Sequence, residues 1–461
     1  MIAARQKTRT YLLLLVEAFL LYSSMMGAVY LRFTMGEMRY ELIERYGFLK
    51  ALLAAGVCLA AFYFYDLYDF VVIHDRRELI LRLVQALGVA WVTLALIFYA
   101  LPQVMIGRGV SLIALALALL SMIVWRLLVH WVMGHPDFGE RVLIVGTSPM
   151  AIELARETYE RRDAGYRVVG FTSSDPDLLG KSLFNPKVVG LSTDLGEIVK
   201  REKVDRIVVA MAQRRGQFPT EQLLDLSLSG GVSIEEGASF YERLTGRVHL
   251  DMLRPSWLIF SGPGQQARLQ SLIRTIVHRG VALFGALVSL PITILTAILI
   301  KLESRGPVFY AQERVGENGR TFMVYKFRSM RTDAEKDGPV WSSAGDSRVT
   351  RVGRVIRKLR VDEVPQFWNI LRGDMNFVGP RPERPHFVEQ LAEEIPFYEQ
   401  RHLLPPGLTG WAQIKYPYGS TIEDARQKLQ YDLYYIKNQS LTLDAIIIFE
   451  TVKTVVFGRG L

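Results

Sequence analysis

A single cysteine, Cys58, in 461 residues rules out an intrachain disulfide, and it lies inside an apolar run. Zinc sites of the usual Cys-rich kind are excluded with it. Acids are also in the minority: 46 Asp and Glu stand against 55 Lys and Arg, a net charge of +9. That balance favours anionic partners such as phosphates, lipid headgroups or nucleic acid. Nor does the chain have the polarity of a wholly soluble protein. Half of its residues are hydrophobic and its mean hydropathy is positive, a composition that calls for membrane segments.

Four apolar segments supply them, at roughly 11–33, 48–65, 79–101 and 110–133. Each is near the ~20 residues that cross a bilayer as a helix. Arg5, Lys7 and Arg9 precede the first, so the start reads as a membrane entry and not as a cleaved signal. Basic residues at the leading end, at Arg76 and Arg77, and from Arg141 onward favour an N-terminus inside, against the opposing Arg32, Arg39, Arg45 and Lys50. Four crossings then leave everything after residue 135 in the cytoplasm. Glu17 and Arg126 fall inside spans and are expected to face the bundle or snorkel.

Residues 136–255 alternate short apolar runs with polar helical stretches, which predicts an α/β domain on a parallel sheet. Strands are expected at 141–146, 166–171, 204–210 and 232–234, with helices at 150–162 and near 193–202 and 219–229. The first turn, Gly146-Thr147-Ser148-Pro149-Met150-Ala151, has only the first glycine of a dinucleotide fingerprint, and Pro149 offers no N–H to a phosphate. The domain therefore reads as Rossmann-like but degenerate. A linker at 256–267 leads into the last region, 268–461.

That region opens with the apolar run Gly280–Ile300, long enough to span. Pro291 interrupts it, and basic residues flank both ends: Arg274, His278 and Arg279 before, Lys301 and Arg305 after. A helix over about 275–302 that enters one leaflet, bends at Ser289-Leu290-Pro291 and returns would put both basic ends in one headgroup layer. A kinked spanning helix is the alternative, and it would strand the following domain outside the cell.

Beyond residue 302 the groups suit phosphate. Tyr325-Lys326-Phe327-Arg328-Ser329-Met330 offers a lysine, a guanidinium and a hydroxyl, and Arg348, Arg351, Arg354 and Arg357 recur every third residue. No acid lies between 347 and 361. The stripe, a basic face or a set of phosphate forks, ends at Val361-Asp362-Glu363-Val364-Pro365-Gln366. An Asp-Glu pair at a helix start is ordinarily a cap or dipole partner. On a helix adjacent acids point about 100° apart, so these two would not share one role. One could attack phosphorus while the other holds Mg²⁺ or positions a proton. Gly379-Pro380-Arg381-Pro382 puts one arginine on a proline-braced turn, and Pro406–Gln413 is a second stiff loop with Trp411 available for stacking.

From about 270 to 461 the chain resembles the polyprenyl-phosphate sugar-phosphate transferases, the monotopic bacterial sugar transferase family. The resemblance rests on the proline-interrupted helix, Tyr-Lys-Phe-Arg-Ser-Met, Asp-Glu-Val-Pro-Gln, Gly-Asp-Met, Val-Gly-Pro-Arg-Pro and Pro-Gly-Leu-Thr-Gly-Trp-Ala-Gln. The four spans and the α/β domain look like the family's large subtype. The fold implied is a membrane α-helical bundle, a cytoplasmic Rossmann-like α/β domain and a mostly α monotopic catalytic domain with a re-entrant helix. The activity implied is transfer of a sugar 1-phosphate from a UDP-sugar to undecaprenyl phosphate in the bacterial inner membrane, with release of UMP. It would open the synthesis of an exopolysaccharide or related glycan. Asp362 would carry the sugar phosphate covalently, Mg²⁺ would sit at Asp362 and Glu363, and Lys326, Arg357 and Arg381 match phosphate-contact positions. Nucleic acid is not among the partners implied; a homodimer is the candidate assembly. One departure stands out. Many relatives carry an arginine shortly after Trp-Ala-Gln, where this chain has Ile414-Lys415-Tyr416, so Lys415 or Arg401 is expected to substitute.

Two rivals deserve weighing. A membrane nucleotide-sugar dehydratase needs a full glycine fingerprint followed by Tyr-x-x-x-Lys, and the pair present, Tyr46 and Lys50, lies upstream of Gly146. An inactive scaffold for polysaccharide export predicts loss of the dyad or the arginines, and both are intact.

Overall fold

A computed structural model describes residues 2–65, 67–68, 76–133, 139–161, 165–211, 219–228, 231–253, 268–334, 346–416, 419 and 421–457. The expected linker at 256–267 lies outside them. The chain forms two compact units, Met1–Glu236 and Gly237–Leu461.

The first unit begins with four long helices: α1 (Ile2–Arg32), α2 (Gly47–Phe64), α3 (Arg76–Ala100) and α4 (Arg108–Met133). All four contain segments long and apolar enough to cross a membrane. Their packing has the pattern lipid imposes. Small residues (Ala28, Ala54, Ala55, Ala86, Ala90, Ala114 and Ala118) line the buried interior, while Leu15, Phe19, Leu52, Leu112 and Leu120 point outward. Where lipid solvates the large apolar side chains, helices associate through close backbone approach at small ones. The two intramembrane charges meet inside: Arg126 Nε lies 2.8 Å from Glu17 Oε1, and both side chains are fully buried. Tyr68 Oη donates to Glu17 Oε2 at 2.7 Å, and Arg126 Nη1 to Leu67 O at 2.5 Å.

Next comes a five-stranded, all-parallel sheet of order β3-β2-β1-β4-β5. Its strands are β1 (Glu140–Val145), β2 (Tyr166–Ser173), β3 (Val188–Leu191), β4 (Arg206–Val209) and β5 (Ser233–Glu236), with helices α5 (Pro149–Glu160), α6 (Leu195–Arg201) and α7 (Thr220–Leu228) between them. The parallel α/β expectation holds. β3 was not anticipated, being four residues long in a stretch punctuated by Pro186 and Gly190. In the first turn the Ser148 hydroxyl caps α5 through Ala151 N (3.3 Å) and donates to Ala210 O (2.6 Å), tying it to the neighbouring strand.

The domain boundary expected at 255 is corrected to 236/237. Helix α8 (Gly237–Thr245) and the segment after it belong to the second unit: Val248 and Leu250 are buried with Val378, Leu391, Leu429 and Leu433. Trp411 Nε1 donates to Gly246 O at 2.8 Å, and Lys437 pairs with Glu242 at 2.7 Å. No change of composition marks this boundary, so pattern reading placed it at the next proline.

The rest of the second unit follows α9 (Arg268–Glu303). After it come the hairpin β6 (Phe309–Val315) and β7 (Thr321–Phe327), α10 (Arg351–Lys358), a 3₁₀ turn at Val361–Glu363, α11 (Gln366–Arg372) and β8 (Asn376–Val378). Then come α12 (Pro385–Glu394), β9 (Gly407–Thr409), α13 (Trp411–Lys415), α14 (Ile422–Asn438) and α15 (Leu441–Phe457). The break expected at Pro291 is not an end: α9 is one helix through the proline. Loss of one N–H interrupts the ladder locally and can bend a helix, but the apolar residues on both sides keep it helical. Both ends of α9 rest on the same unit. Arg274 and His278 bind Asp444 of α15 at 2.8 and 3.1 Å, and Ile300 packs with Phe327 and Ile356. Between these anchors Leu287, Val288, Leu290, Ile292, Leu295 and Ile298 are exposed.

Arg126→Met alone should lower the melting temperature of the detergent-solubilised protein, because it leaves Glu17 buried without its counter-charge, a cost of about 3–5 kcal/mol. Glu17→Met with Arg126→Met should recover most of it. A double variant that melts below the single one would contradict this account of the pair.

Candidate active site

Asp362 and Glu363 sit where α10 turns into α11. Arg360, at φ +57°, is left-handed without being glycine and redirects the chain into the 3₁₀ turn. That conformation costs a non-glycine residue about 1–2 kcal/mol, so the surrounding packing must hold it. Part of that packing is Gly353: a β-carbon there would lie 1.9 Å from Ser329 O, so only glycine lets α10 press onto the chain leaving β7. Glu303, at the end of α9, accepts from the N–H groups of Arg351 (2.7 Å) and Val352 (3.2 Å) and fixes the start of the same helix.

The two carboxylates are buried and meet different partners. Glu363 Oε1 accepts from Arg381 Nη2 at 2.7 Å and Lys326 Nζ at 3.3 Å. Burial alone would raise Glu363; Arg381, Lys326 and Arg360 overcome it and hold the carboxyl well below its ordinary range. Asp362 accepts no hydrogen bond from the described residues. Burial, and next the neighbouring Glu363 charge, push it up to about 6, against the pull of Lys326, Arg357 and Arg360. Burial likewise lowers Lys326, with Glu363 opposing. Two adjacent acids are thus driven apart, as expected when they take different roles.

Asn369 aligns the cation and the acids. Fully buried on α11, it accepts from Tyr325 N at 3.2 Å and donates to Met323 O at 2.7 Å and Asp374 Oδ2 at 3.2 Å. It therefore staples α11, which follows the dyad, to the strand that carries Lys326.

The remaining expected contacts divide. Arg357 is half-buried and acts on Asp362 electrostatically. Arg328 is corrected: its guanidinium donates to Ser304 O and Oγ and to Arg305 O, all at 2.9 Å, so it caps the end of α9 instead of facing phosphate. Arg401 is corrected too. It binds Tyr398 Oη (2.6 Å), Arg381 O (3.0 Å) and Asp432 Oδ2 (2.8 Å), which puts it behind Arg381. Lys415 is exposed, its Nζ 4.8 Å above the Trp411 ring. Trp411 is not open for stacking a ligand, being stacked on Tyr434 and tethered to Gly246. Arg348 pairs with Asp346 before α10 begins, so the arginine stripe is only partly helical. Asp432, Asn369 and Arg314 were missed as site residues; a buried polar side chain leaves no mark in sequence periodicity.

Among the described residues no group of three or more His, Cys, Asp or Glu could hold a metal. The dyad nonetheless fits Mg²⁺, which is commonly bound through one or two carboxylates plus substrate phosphates. Among the described residues Lys326 and Arg381 both donate to Oε1 of Glu363, and Asp362 is a buried acid that accepts no hydrogen bond.

The bacterial sugar transferase profile matches residues 269–458, and a CoA-binding domain profile matches 64–217. UDP-glucose:undecaprenyl-phosphate glucose-1-phosphate transferase of Klebsiella pneumoniae is 34% identical over 321 residues, 68% of this chain and 67% of that protein. The chain belongs to the bacterial sugar transferase family. UDP-N-acetylgalactosamine-undecaprenyl-phosphate N-acetylgalactosaminephosphotransferase of Aeromonas hydrophila is 48% identical over 223 residues, 48% of this chain and 51% of its own length. The match thus spans about half of that relative. Exopolysaccharide production protein PSS of Rhizobium leguminosarum bv. phaseoli is 43% identical over 37% of this chain and 88% of its own.

Carbodiimide labelling, which needs a protonated carboxyl, should modify Asp362 up to about pH 6, read by peptide mass spectrometry. Glu363→Gln removes a raising charge and should move the limit to lower pH. Lys326→Met removes a lowering one and should move it higher. Labelling that ends near pH 4, as for an ordinary aspartate, would contradict the assignment.

Proposed function

We propose that this protein transfers a sugar 1-phosphate from a UDP-sugar to undecaprenyl phosphate at the cytoplasmic face of the bacterial inner membrane, opening synthesis of an exopolysaccharide or related glycan. One observation carries the reading. A buried aspartate that accepts no hydrogen bond from the described residues lies beside a glutamate held by Lys326 and Arg381, in a unit whose α9 exposes a continuous apolar surface.

Asp362 is the nucleophile. Its carboxylate attacks the β-phosphorus of the donor, an aspartyl–phosphorus bond forms, and the bond to the bridging oxygen breaks, its electron pair leaving with UMP. A phosphate oxygen of the lipid then attacks the same phosphorus and frees Asp362, giving a diphosphate-linked sugar. Lys326, Arg357 and Arg381 offset the charge that gathers on the phosphoryl oxygens, and preorganised donors of this kind are each worth about 10²–10³ in rate. Mg²⁺ held by Asp362 and Glu363 would neutralise further phosphate charge. Glu363, pinned as a carboxylate, orients Lys326 and Arg381.

The apolar length of α9 suits insertion into one leaflet. Both of its ends rest on the catalytic unit, through Arg274 and His278 at one and Ile300 and Glu303 at the other. A helix anchored at both ends to one polar body cannot deliver those ends to opposite sides of a bilayer. This supports a re-entrant path with the dyad at headgroup depth. The names of the Aeromonas and Klebsiella relatives include undecaprenyl phosphate, in agreement with that placement.

The test uses nanodiscs with Mg²⁺, undecaprenyl phosphate and a panel of UDP-sugars. Wild type should release UMP. With the lipid phosphate omitted, intact-protein mass spectrometry should find one sugar phosphate added. Asp362→Ala and Asp362→Asn should lose both signals. Normal turnover in those variants would remove Asp362 as nucleophile, and no turnover with any donor would favour the scaffold.

A further inference from the structure

The main chain around Arg381 is held at four consecutive carbonyls. Gly407 N donates to Pro380 O and Val315 N to Glu383 O, both at 2.9 Å. The two carbonyls between them go to guanidinium groups: Arg401 Nη2 donates to Arg381 O at 3.0 Å, and Arg314 Nη1 to Pro382 O at 3.1 Å. Each guanidinium is fixed in turn. Asp432 and Tyr398 hold Arg401 at 2.8 and 2.6 Å, with Arg401 7% and Asp432 2% exposed. Glu383 holds Arg314 at 3.3 Å, and Gln312 Oε1 accepts from it at 2.6 Å.

The sequence explains why side chains are needed. Pro380 and Pro382 have no N–H, so past the bond from Gly407 to Pro380 this stretch cannot continue a regular ladder with β9, whose residue pairs end at Val378 and Thr409. Buried carbonyls that cannot join a ladder must find other donors. A guanidinium supplies several in a rigid fork, and a lysine does not.

We propose that Arg401 and Arg314 are positioning residues that act through the Arg381 backbone, holding its carbonyl and the next so that its guanidinium meets Glu363. The inference rests on the transfer reaction proposed above. With the carbonyls anchored and proline on both sides, the origin of the Arg381 side chain is fixed, and its 2.7 Å contact with Glu363 follows. Arg401, buried behind the loop, touches the chemistry only through Arg381.

The experiment is a double-mutant cycle in the full-length protein in nanodiscs, read as the single-turnover rate of UMP release. Arg401→Lys keeps a cation beside Asp432 but loses the fork, and should slow the reaction about tenfold to a hundredfold, the range for a displaced supporting contact. In an Arg381→Ala background the same change should have no further effect, within about twofold. Equal losses in both backgrounds would mean a general structural role and overturn the proposal. Arg314→Lys provides a second cycle if Arg401→Lys lowers the melting temperature, with the same two outcomes. A structure of either variant reads the point without turnover. Arg381 should move out of hydrogen-bond reach of Glu363, and an unmoved contact would overturn the proposal. Absence of UMP release from wild type would instead sink the transferase reading.

Discussion

Everything at this site depends on how one buried glutamate is neutralised. Taking a carboxylate out of water is costly, and it stays charged only when opposite charge and donors replace the solvent. Glu363 has both on one oxygen, from Lys326 on a hairpin and Arg381 on a proline-braced loop. Three separate pieces of chain must therefore be placed within about an ångström. Asn369 staples α11 to β7, Glu303 fixes α10, and the guanidinium pair behind the loop anchors Arg381. None of these contacts needs to touch a substrate to matter.

The same arrangement gives Asp362 its character. Lys326 and Arg381 pair with its neighbour, and burial and the Glu363 charge both act against ionisation of the aspartate. A carboxylate held above the ordinary aspartate range by burial is less solvated than one at the surface, and in the proposed reaction it would shed little water on forming a bond to phosphorus. In the proposed transfer, phosphate charge arriving under Lys326 and Arg381 would meet groups already oriented, leaving little reorganisation for the reaction itself.

Much of this was legible in sequence because it was written in period or in rigid residues. Four apolar runs mark the membrane helices, alternation marks the parallel sheet, and Gly-Pro-Arg-Pro marks the stiff arginine mount. What escaped was set by tertiary burial. Arg328 and Arg401 look like phosphate ligands because arginine near a dyad ordinarily is one, yet both bind main-chain carbonyls left over at a helix end and a proline-rich loop. Asn369 and Asp432 are single polar residues among apolar ones, which no pattern separates from surface positions. Trp411 looks available for stacking until its N–H is traced to Gly246, in a segment that composition had assigned to the other domain.

The α9 helix shows how a membrane can complete a site of this kind. Its leucines and isoleucines between 287 and 298 are exposed, while polar and small positions at both ends are engaged: Arg274 and His278 with Asp444, Gly285 against Phe367, Glu303 with the start of α10. The apolar stripe and the anchoring contacts lie on one helix, so on the proposed re-entrant path the depth at which the stripe settles in lipid would fix the height of α10. The dyad begins where α10 ends. In the proposed transfer, a phosphate on a long lipid, confined to the headgroup layer, would search in two dimensions only, and the short path from Glu303 to Asp362 would decide whether it meets that carboxylate.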